Sequence, residues 1–472
     1  MGPAGAASVD SPLGVAWSPV YGFPPAKPDS FMPQARALGA SFARATLYWS
    51  QLEPAAGVRR WNELDAYLAQ IERPDEAMLT IGAASPWATR NAAWVFPSSP
   101  ARDPAAYSAF VRDVVLHAKG RIRYFQSENE PNNRFFWAGS ADDYAAQQRL
   151  FYQAVKAADP KAVVVLGASD GLFDPSGTDP FPCQDADIAF VARMLAGTQR
   201  AYDLFDLHLY GNPYTIPARV AAVRAMMRAA GGEKPIIASE YDGPTFFEFK
   251  ANRRWAAGMQ GPGASPDSVR ALRARDADLP SETRMFLEPG DGELAAKLLR
   301  LQSEDMVVRN LIALASGIQR TAFFQLAQDK GGDPDSPNVV LYGRMALLAR
   351  DTSGAPTIER PLAERFRRLS TALRGMHKAT RITIADQADV YAFEVTRRGR
   401  PPLIVAWRRP AATGAMVEAA PVRLPVHVGR QPLPAETIEG QPVEIARTAA
   451  GLGLMLSDMP VLIDPDRTRS QP

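Results

Sequence analysis

The chain is poor in the residues that build disulfides and metal sites. It has one cysteine, Cys183, and four histidines in 472 residues. A single cysteine cannot form an intramolecular disulfide, so cysteine usage carries no information about redox compartment. No histidine lies near Cys183 to activate it, and it reads as a buried or loop thiol. So few histidines and cysteines leave little material for a metal, and no metal or cofactor is expected. Net charge is also nearly absent: 53 Lys+Arg face 51 Asp+Glu, a balance of +2. Without a basic surplus or a long run of one sign, nucleic acid is not an expected partner. No apolar run reaches the roughly eighteen residues that would span a membrane. The opening residues, Met1 to Ala7, lack the basic-then-apolar pattern of a secretory leader. Localisation is therefore open: cytoplasmic as the sequence stands, periplasmic or secreted if a leader has been removed. No Gly-x-Gly-x-x-Gly follows the first apolar strand, which speaks against a dinucleotide-binding sheet. Internal repeats and low-complexity tracts are absent, and the sequence is silent on oligomeric state.

What is present is an ordinary globular composition, 46% apolar and 22% charged, rich in Ala, Arg and Pro as in a high-GC bacterium. The length suits a large barrel plus a smaller module. Eight short apolar stretches read as strands: Leu13–Trp17, Ser41–Tyr48, Ala77–Ile81, Ile122–Phe125, Ala162–Leu166, Phe205–Tyr210, Pro235–Tyr241 and Thr321–Leu326. Helical spacing follows each of them, with Asp103 and Ser140 as plausible caps. Strand–helix alternation favours a parallel sheet, and eight units favour a closed (β/α)8 TIM barrel over residues 1–377. A last barrel helix is expected over 363–376. From 378 to 472 the pattern changes to short strands separated by turns, including 422–428, 443–445, 454–456 and 461–463, which reads as an antiparallel β-sandwich module.

Two of the barrel strands deliver a carboxylate at their ends. Asn129-Glu130-Pro131 follows the fourth, and Ser239-Glu240-Tyr241 closes the seventh. Burying a carboxylate is costly unless it has a partner or a task, and the C-terminal rim is where a parallel barrel keeps its chemistry. Two carboxylates facing each other across the mouth suit cleavage of a glycosidic bond, one as acid and the other as nucleophile or base. Arg44 and Tyr210, each at another strand end, would keep Glu240 ionised, whereas Phe135, Phe136 and Trp137 would desolvate Glu130. Glu128 is expected to point away from the pocket into a structural ion pair. His208 shares a strand face with Tyr210, which favours the pocket. Trp17, Trp49, Trp87 and Trp137 lie at or beyond strand ends, where core packing and sugar stacking compete. Asp242 and Gln325 are further pocket candidates. Residues 245–291, with Phe246, Phe247, Phe249, Arg253, Arg254 and Trp255, form an unusually long connection and are expected to wall the substrate site. The Arg253–Arg254 pair would be a solvated face or a contact for an acidic sugar.

Four groups of residues then carry a resemblance: Arg44 with Trp49 and Glu53-Pro54, Asn129-Glu130-Pro131-Asn132, His208-x-Tyr210, and Glu240. In this order on these strands the chain resembles a retaining glycoside hydrolase of clan A. Within it the chain is most similar to family 39, which includes β-xylosidases, α-L-iduronidases and some exopolysaccharide hydrolases. The resemblance spans roughly 13–375 and extends in architecture to the β-module. It implies a carbohydrate substrate, Glu130 as acid/base, Glu240 as nucleophile, and Asn129 on the sugar 2-hydroxyl. Arg44 and Tyr210 would tune Glu240, and His208 would line the pocket. Two departures bear on which sugar is taken: Gln126-Ser127-Glu128 stands where the family usually runs Glu-x-Trp, and Phe323-Phe324-Gln325 stands where many clan members have a tryptophan. The alternative is a non-catalytic carbohydrate-binding protein on the same scaffold, which would be expected to have lost one of the two glutamates.

Overall fold

The structure is a computed structural model and describes residues 11–17, 21, 28–169, 185–259, 264–275, 278–288, 290–328, 333–385, 387–426, 433–449 and 451–466. Cys183 lies outside the described residues. Eight parallel strands close into a barrel: β1 Leu13–Ala16, β2 Phe42–Tyr48, β3 Glu76–Gly82, β4 Tyr124–Ser127, β5 Val163–Ser169, β6 Leu204–Leu207, β7 Ile236–Tyr241 and β8 Ile318–Phe324. The fourth strand starts two residues later than its apolar run suggests, because Tyr124 pairs with Met78 of β3 and Val163 of β5. The sixth stops at Leu207, which leaves His208 and Tyr210 on the rim. The helix Pro104–His117 is capped by Asp103, whose carboxylate accepts from the Ala105 amide at 2.8 Å. Ser140 caps Ala141–Ala158 in a reciprocal box with Asp143.

Side chains alternate in and out along each strand, and the inward ones stack in layers. The lower layer is apolar: Phe42, Met78, Tyr124, Val165, Leu204, Ile237 and Ala322 pack as one cluster. Two residues further along the same strands the layer becomes polar, with Arg44, Thr80, Gln126, Asp206 and Ser239. These five join in a hydrogen-bonded floor. Arg44 donates to Thr80 at 3.0 Å and to Gln126 at 3.2 Å; Gln126 donates to Asp206 at 2.6 Å; the Ser239 amide donates to Asp206 at 2.8 Å.

The C-terminal region forms two antiparallel sheets. One orders Met376–Ile382, Val390–Arg397, Arg400–Arg408, Val461–Ile463 and Ala435–Thr437; the other orders Ala420–Leu424, Gly451–Leu456 and Ala446–Thr448. Val390, Ala392, Ile404 and Ala406 face Val422, Leu424, Leu452 and Leu454 to make the sandwich core. The alternate residues Phe393, Val395, Leu403, Val405 and Trp407 join the barrel's own core. Trp407 Nε1 also donates to the Tyr214 hydroxyl at 2.9 Å, and Arg300 grips buried Asp458 at 2.7 Å. The expected strand 443–445 is not formed; the paired segment is Ala446–Thr448, whose position is dictated by its partner Gly451–Gly453. Ala435–Thr437, a three-residue edge strand, was not anticipated. The helix expected to reach 376 ends at Ala372, because Gly375 turns the chain with φ +72° and Met376 opens the sheet.

The long connection after β7 is a folded unit. Pro266–Arg273 and Ser281–Leu287 are helices. Phe246, Phe247, Phe249, Val269, Leu272, Met285 and Phe286 bury against Leu294, Leu298 and Leu301 of the helix Gly292–Ala315. The three phenylalanines therefore serve this second core and do not wall a sugar site. Arg253 and Arg254 are exposed, and Arg254 lies over the Trp255 ring at 4.7 Å. No helix among the described residues is long and apolar enough to cross a membrane.

Candidate active site

Above the polar floor the strand ends converge. Arg44 reaches up from β2 and donates to Glu240 Oε2 at 2.6 Å and to Asn129 Oδ1 at 2.5 Å. The Tyr210 hydroxyl donates to Glu240 Oε1 at 2.5 Å. Both oxygens of Glu240 are thus engaged by hydrogen-bond donors. Glu130 sits on the opposite side. Chain direction there is set by two non-glycine residues in left-handed backbone, Glu128 at φ 66° and Glu130 at φ 40°. Such backbone costs on the order of 1–3 kcal/mol per residue and concentrates at functional sites. It sends Glu130 into the mouth and Glu128 into the wall. Glu130 Oε1 meets His208 Nδ1 at 2.5 Å, and Asn133 Nδ2 reaches Oε2 at 3.5 Å.

His208 is fully buried between three carboxylates. Beyond Glu130, its Nδ1 is 3.9 Å from Glu240 Oε1, and its Nε2 is 3.7 Å from Asp206. The latter separation exceeds a direct hydrogen bond, so Asp206 acts on the ring through its charge. Burial alone would lower the imidazole, but Glu240, Asp206 and Glu130 outweigh it and lift it to about 10. Burial likewise opposes ionisation of Asp206, yet His208, Arg44 and Ser239 hold it below the usual carboxylate range. Burial, reinforced by the charge on Glu240, holds Tyr210 well above an ordinary phenol, so it acts as a donor.

Glu130, His208 and Glu240 each present one donor atom within 4.8 Å of the others, a spacing that a metal ion could use. Arg44 already places a permanent cation at 2.6 Å from Glu240, which weighs against a second cation there.

Glu130, Glu240, Asn129, Arg44, His208 and Tyr210 are thus brought together. The tryptophans are not. Trp49 is fully buried, stacks on Phe110 at 4.9 Å, and donates to Glu53 at 2.7 Å. Trp87 meets Trp49 edge-on at 5.7 Å and donates to the Glu53 carbonyl at 3.0 Å. Trp137 packs on Tyr144 at 5.7 Å and donates to the Ser140 carbonyl at 3.3 Å. Trp17 is buried on Phe31. An indole at a strand end covers more apolar area by folding back over the helices, and these four do so. Phe135, expected to desolvate Glu130, is 54% exposed and clusters with Phe96 and Phe136. Glu128 has no cationic partner among the described residues; it is buried on the Ala83 amide at 3.0 Å and Gln147 at 3.1 Å. Asp242 is fully buried with Arg309 and Asp305, and burial pushes its carboxyl well up. Gln325 lies just past β8 with its amide oxygen buried and unpaired among the described residues.

Sequence reasoning missed the floor, above all Gln126 and Asp206. Their signal was present: each lies two residues from another inward side chain, Tyr124 on β4 and His208 beyond β6.

No protein-family model matches the chain, and no curated protein sequence does. Solved structures match it in fold. A family 39 glycoside hydrolase from the gut symbiont Bacteroides cellulosilyticus WH2 aligns with TM-score 0.61 at 14% identity, covering 97% of this chain and 82% of that one. A monomeric beta-xylosidase from Caulobacter crescentus CB15 aligns with TM-score 0.57 at 16% identity, over 98% and 97%. The catalytic domain of the family 30 xylanase C from Talaromyces cellulolyticus aligns with TM-score 0.55 at 12% identity, over 97% of each chain. At these identities the likeness is one of fold, and it extends over nearly the whole chain. It includes the family that the strand-end residues resemble.

Proposed function

We propose that the protein is a retaining glycoside hydrolase, with Glu240 as nucleophile and Glu130 as acid/base. The observation that carries this reading is that the two carboxylates face each other across the mouth on either side of His208, with an oxygen of each within 4.8 Å of the other, which supports the narrower of the two spacings known for such pairs. Retaining enzymes hold the pair about 5–5.5 Å apart, whereas inverting ones leave about 6.5–9.5 Å for a water. The glycoside hydrolases that share the fold support the reaction class.

Glu240, its two oxygens held by Arg44 and Tyr210, attacks the anomeric carbon as the glycosidic C–O bond breaks. Glu130 gives its proton to the departing oxygen. The proton shared between His208 Nδ1 and Glu130 Oε1 supplies the acid form. A glycosyl ester on Glu240 results. Glu130, now a base, takes a proton from water, which attacks the same carbon and frees the sugar with its configuration kept. Asn129, oriented by Arg44, is placed to bind the 2-hydroxyl.

The test uses a panel of aryl glycosides and longer glycans. Wild type should turn over with retention, and Glu240→Ala should be inactive until azide restores turnover as the inverted glycosyl azide. Equal rates in wild type and variant would overturn the assignment. Binding without turnover on every substrate would point to a carbohydrate-binding barrel.

A further inference from the structure

The rim beside β8 carries a feature that bond cleavage does not use. The chain returns to the mouth at Tyr342, whose ring meets Tyr210 edge-on at 6.3 Å and Phe324 at 5.9 Å. Directly after it come Gly343 and Arg344. Arg360, at the end of the same loop, folds back onto this turn and donates from Nη1 to the Gly343 carbonyl at 2.8 Å and from Nη2 to Gln328 Oε1 at 3.4 Å. Gln328 lies flat on the glycine: a Cβ there would fall 2.2 Å from its Nε2. Arg344 spends only Nε, on the Phe286 carbonyl at 3.2 Å, and its two terminal nitrogens have no acceptor among the described residues.

Both guanidiniums are half-buried, and neither has a carboxylate partner among the described residues. Elsewhere buried arginines are matched, as Arg309 is by Asp305 and Arg397 by Asp464. Arg273 stands close to this pair but is compensated by Asp335 at 2.9 Å. Burial, with the charges of Arg273 and Arg360, pulls Arg344 down to about 10, so it remains cationic at neutral pH. Two adjacent, partly desolvated guanidiniums without a counterion among the described residues favour the arrival of an anion. Their forked donors fit a planar carboxylate or a sulfate.

We propose that Arg344 and Arg360, with Arg360 held in place by Gln328, form a subsite for an anionic substituent on the sugar chain cleaved at Glu130 and Glu240: a uronate carboxylate or a sulfate ester. This rests on the glycosidase reading. Binding is the readout that separates the two, because it needs no turnover. Calorimetry would compare matched oligosaccharides: a xylo-oligosaccharide with and without a glucuronate branch, and a galactan oligosaccharide with and without sulfate. One charged member should bind at least about tenfold tighter than its neutral twin, the gain expected of a charge-assisted pair, and added salt should erode that preference. Which member wins distinguishes carboxylate from sulfate. Arg344→Gln and Arg360→Gln should each reduce the charged-over-neutral ratio about tenfold, with Arg344→Lys between. Arg360 also braces the turn; Arg344, whose terminal nitrogens have no acceptor among the described residues, keeps the test valid if Arg360→Gln does not fold. Failure of both charged members to bind, equal affinity within each pair, or a ratio untouched in Arg344→Gln would overturn the proposal. Failure of the glycosidase reading would instead show as wild-type and Glu240→Ala rates that do not differ.

Discussion

Glu130 and Glu240 occupy matching ends of β4 and β7, yet the protein holds them by opposite means. Glu240 continues its strand, and its oxygens meet a permanent cation, Arg44, and a phenol that burial keeps protonated. Glu130 sits on left-handed backbone, and the cation against it is His208, which can lose its proton. A guanidinium has no proton that it can pass on at neutral pH, whereas an imidazolium has. In the proposed mechanism that difference gives two identical side chains separate tasks, nucleophile and acid/base.

The contrast can be broken from either side. In the proposed mechanism Glu240 is the attacking group, and kcat for Glu240→Ala should fall by more than about 10⁴-fold; a smaller loss without azide would mean that another group attacks. Glu130→Gln should cost about 10²–10⁴-fold, the usual worth of general acid–base catalysis. Its loss should shrink on aryl glycosides with acidic leaving groups, which need no protonation. A loss independent of leaving group would remove Glu130 from the acid role. Tyr210→Phe tests the pinning itself. Losing one hydrogen bond to a charged oxygen should lower kcat/KM about 10- to 100-fold, and an unchanged value would show that Arg44 alone suffices.

The fold was legible because barrel strands, buried on both faces, read as continuous apolar runs. The carboxylates were legible for the same reason: a polar residue at the end of such a run stands out. What was not legible depended on distant partners. Whether Trp49 or Trp137 faces a sugar or a helix depends on Phe110 and Tyr144, and neither choice leaves a trace in spacing. The connection after β7 looked like loop because its apolar residues pair with the helix Gly292–Ala315 and not with one another at helical intervals. In the β-module, short edge strands take their register from the partner, so 443–445 and 446–448 are indistinguishable in advance.

Glu128 sharpens the comparison with the smallest effect. Two residues from Glu130 and equally buried, it was expected to have a cation and among the described residues has neutral donors instead: the Ser98 side chain, the Ala83 amide and Gln147. Burial therefore raises its carboxyl to about 7 against those hydrogen bonds. Since the folded value lies above the unfolded one, the folded protein holds a proton that the unfolded chain releases from about 4.5 upward. This contribution is complete below that pH and is lost as pH rises through about 7. Glu128→Gln, which keeps the shape and an acceptor for Ala83, removes the titration. Its stability relative to wild type should climb between pH 5 and 8 by up to about 3 kcal/mol, followed by thermal unfolding of both proteins across that range. Turnover should change little, because Glu128 faces the wall. A difference that stays flat with pH would mean that the wall tolerates an ionised Glu128.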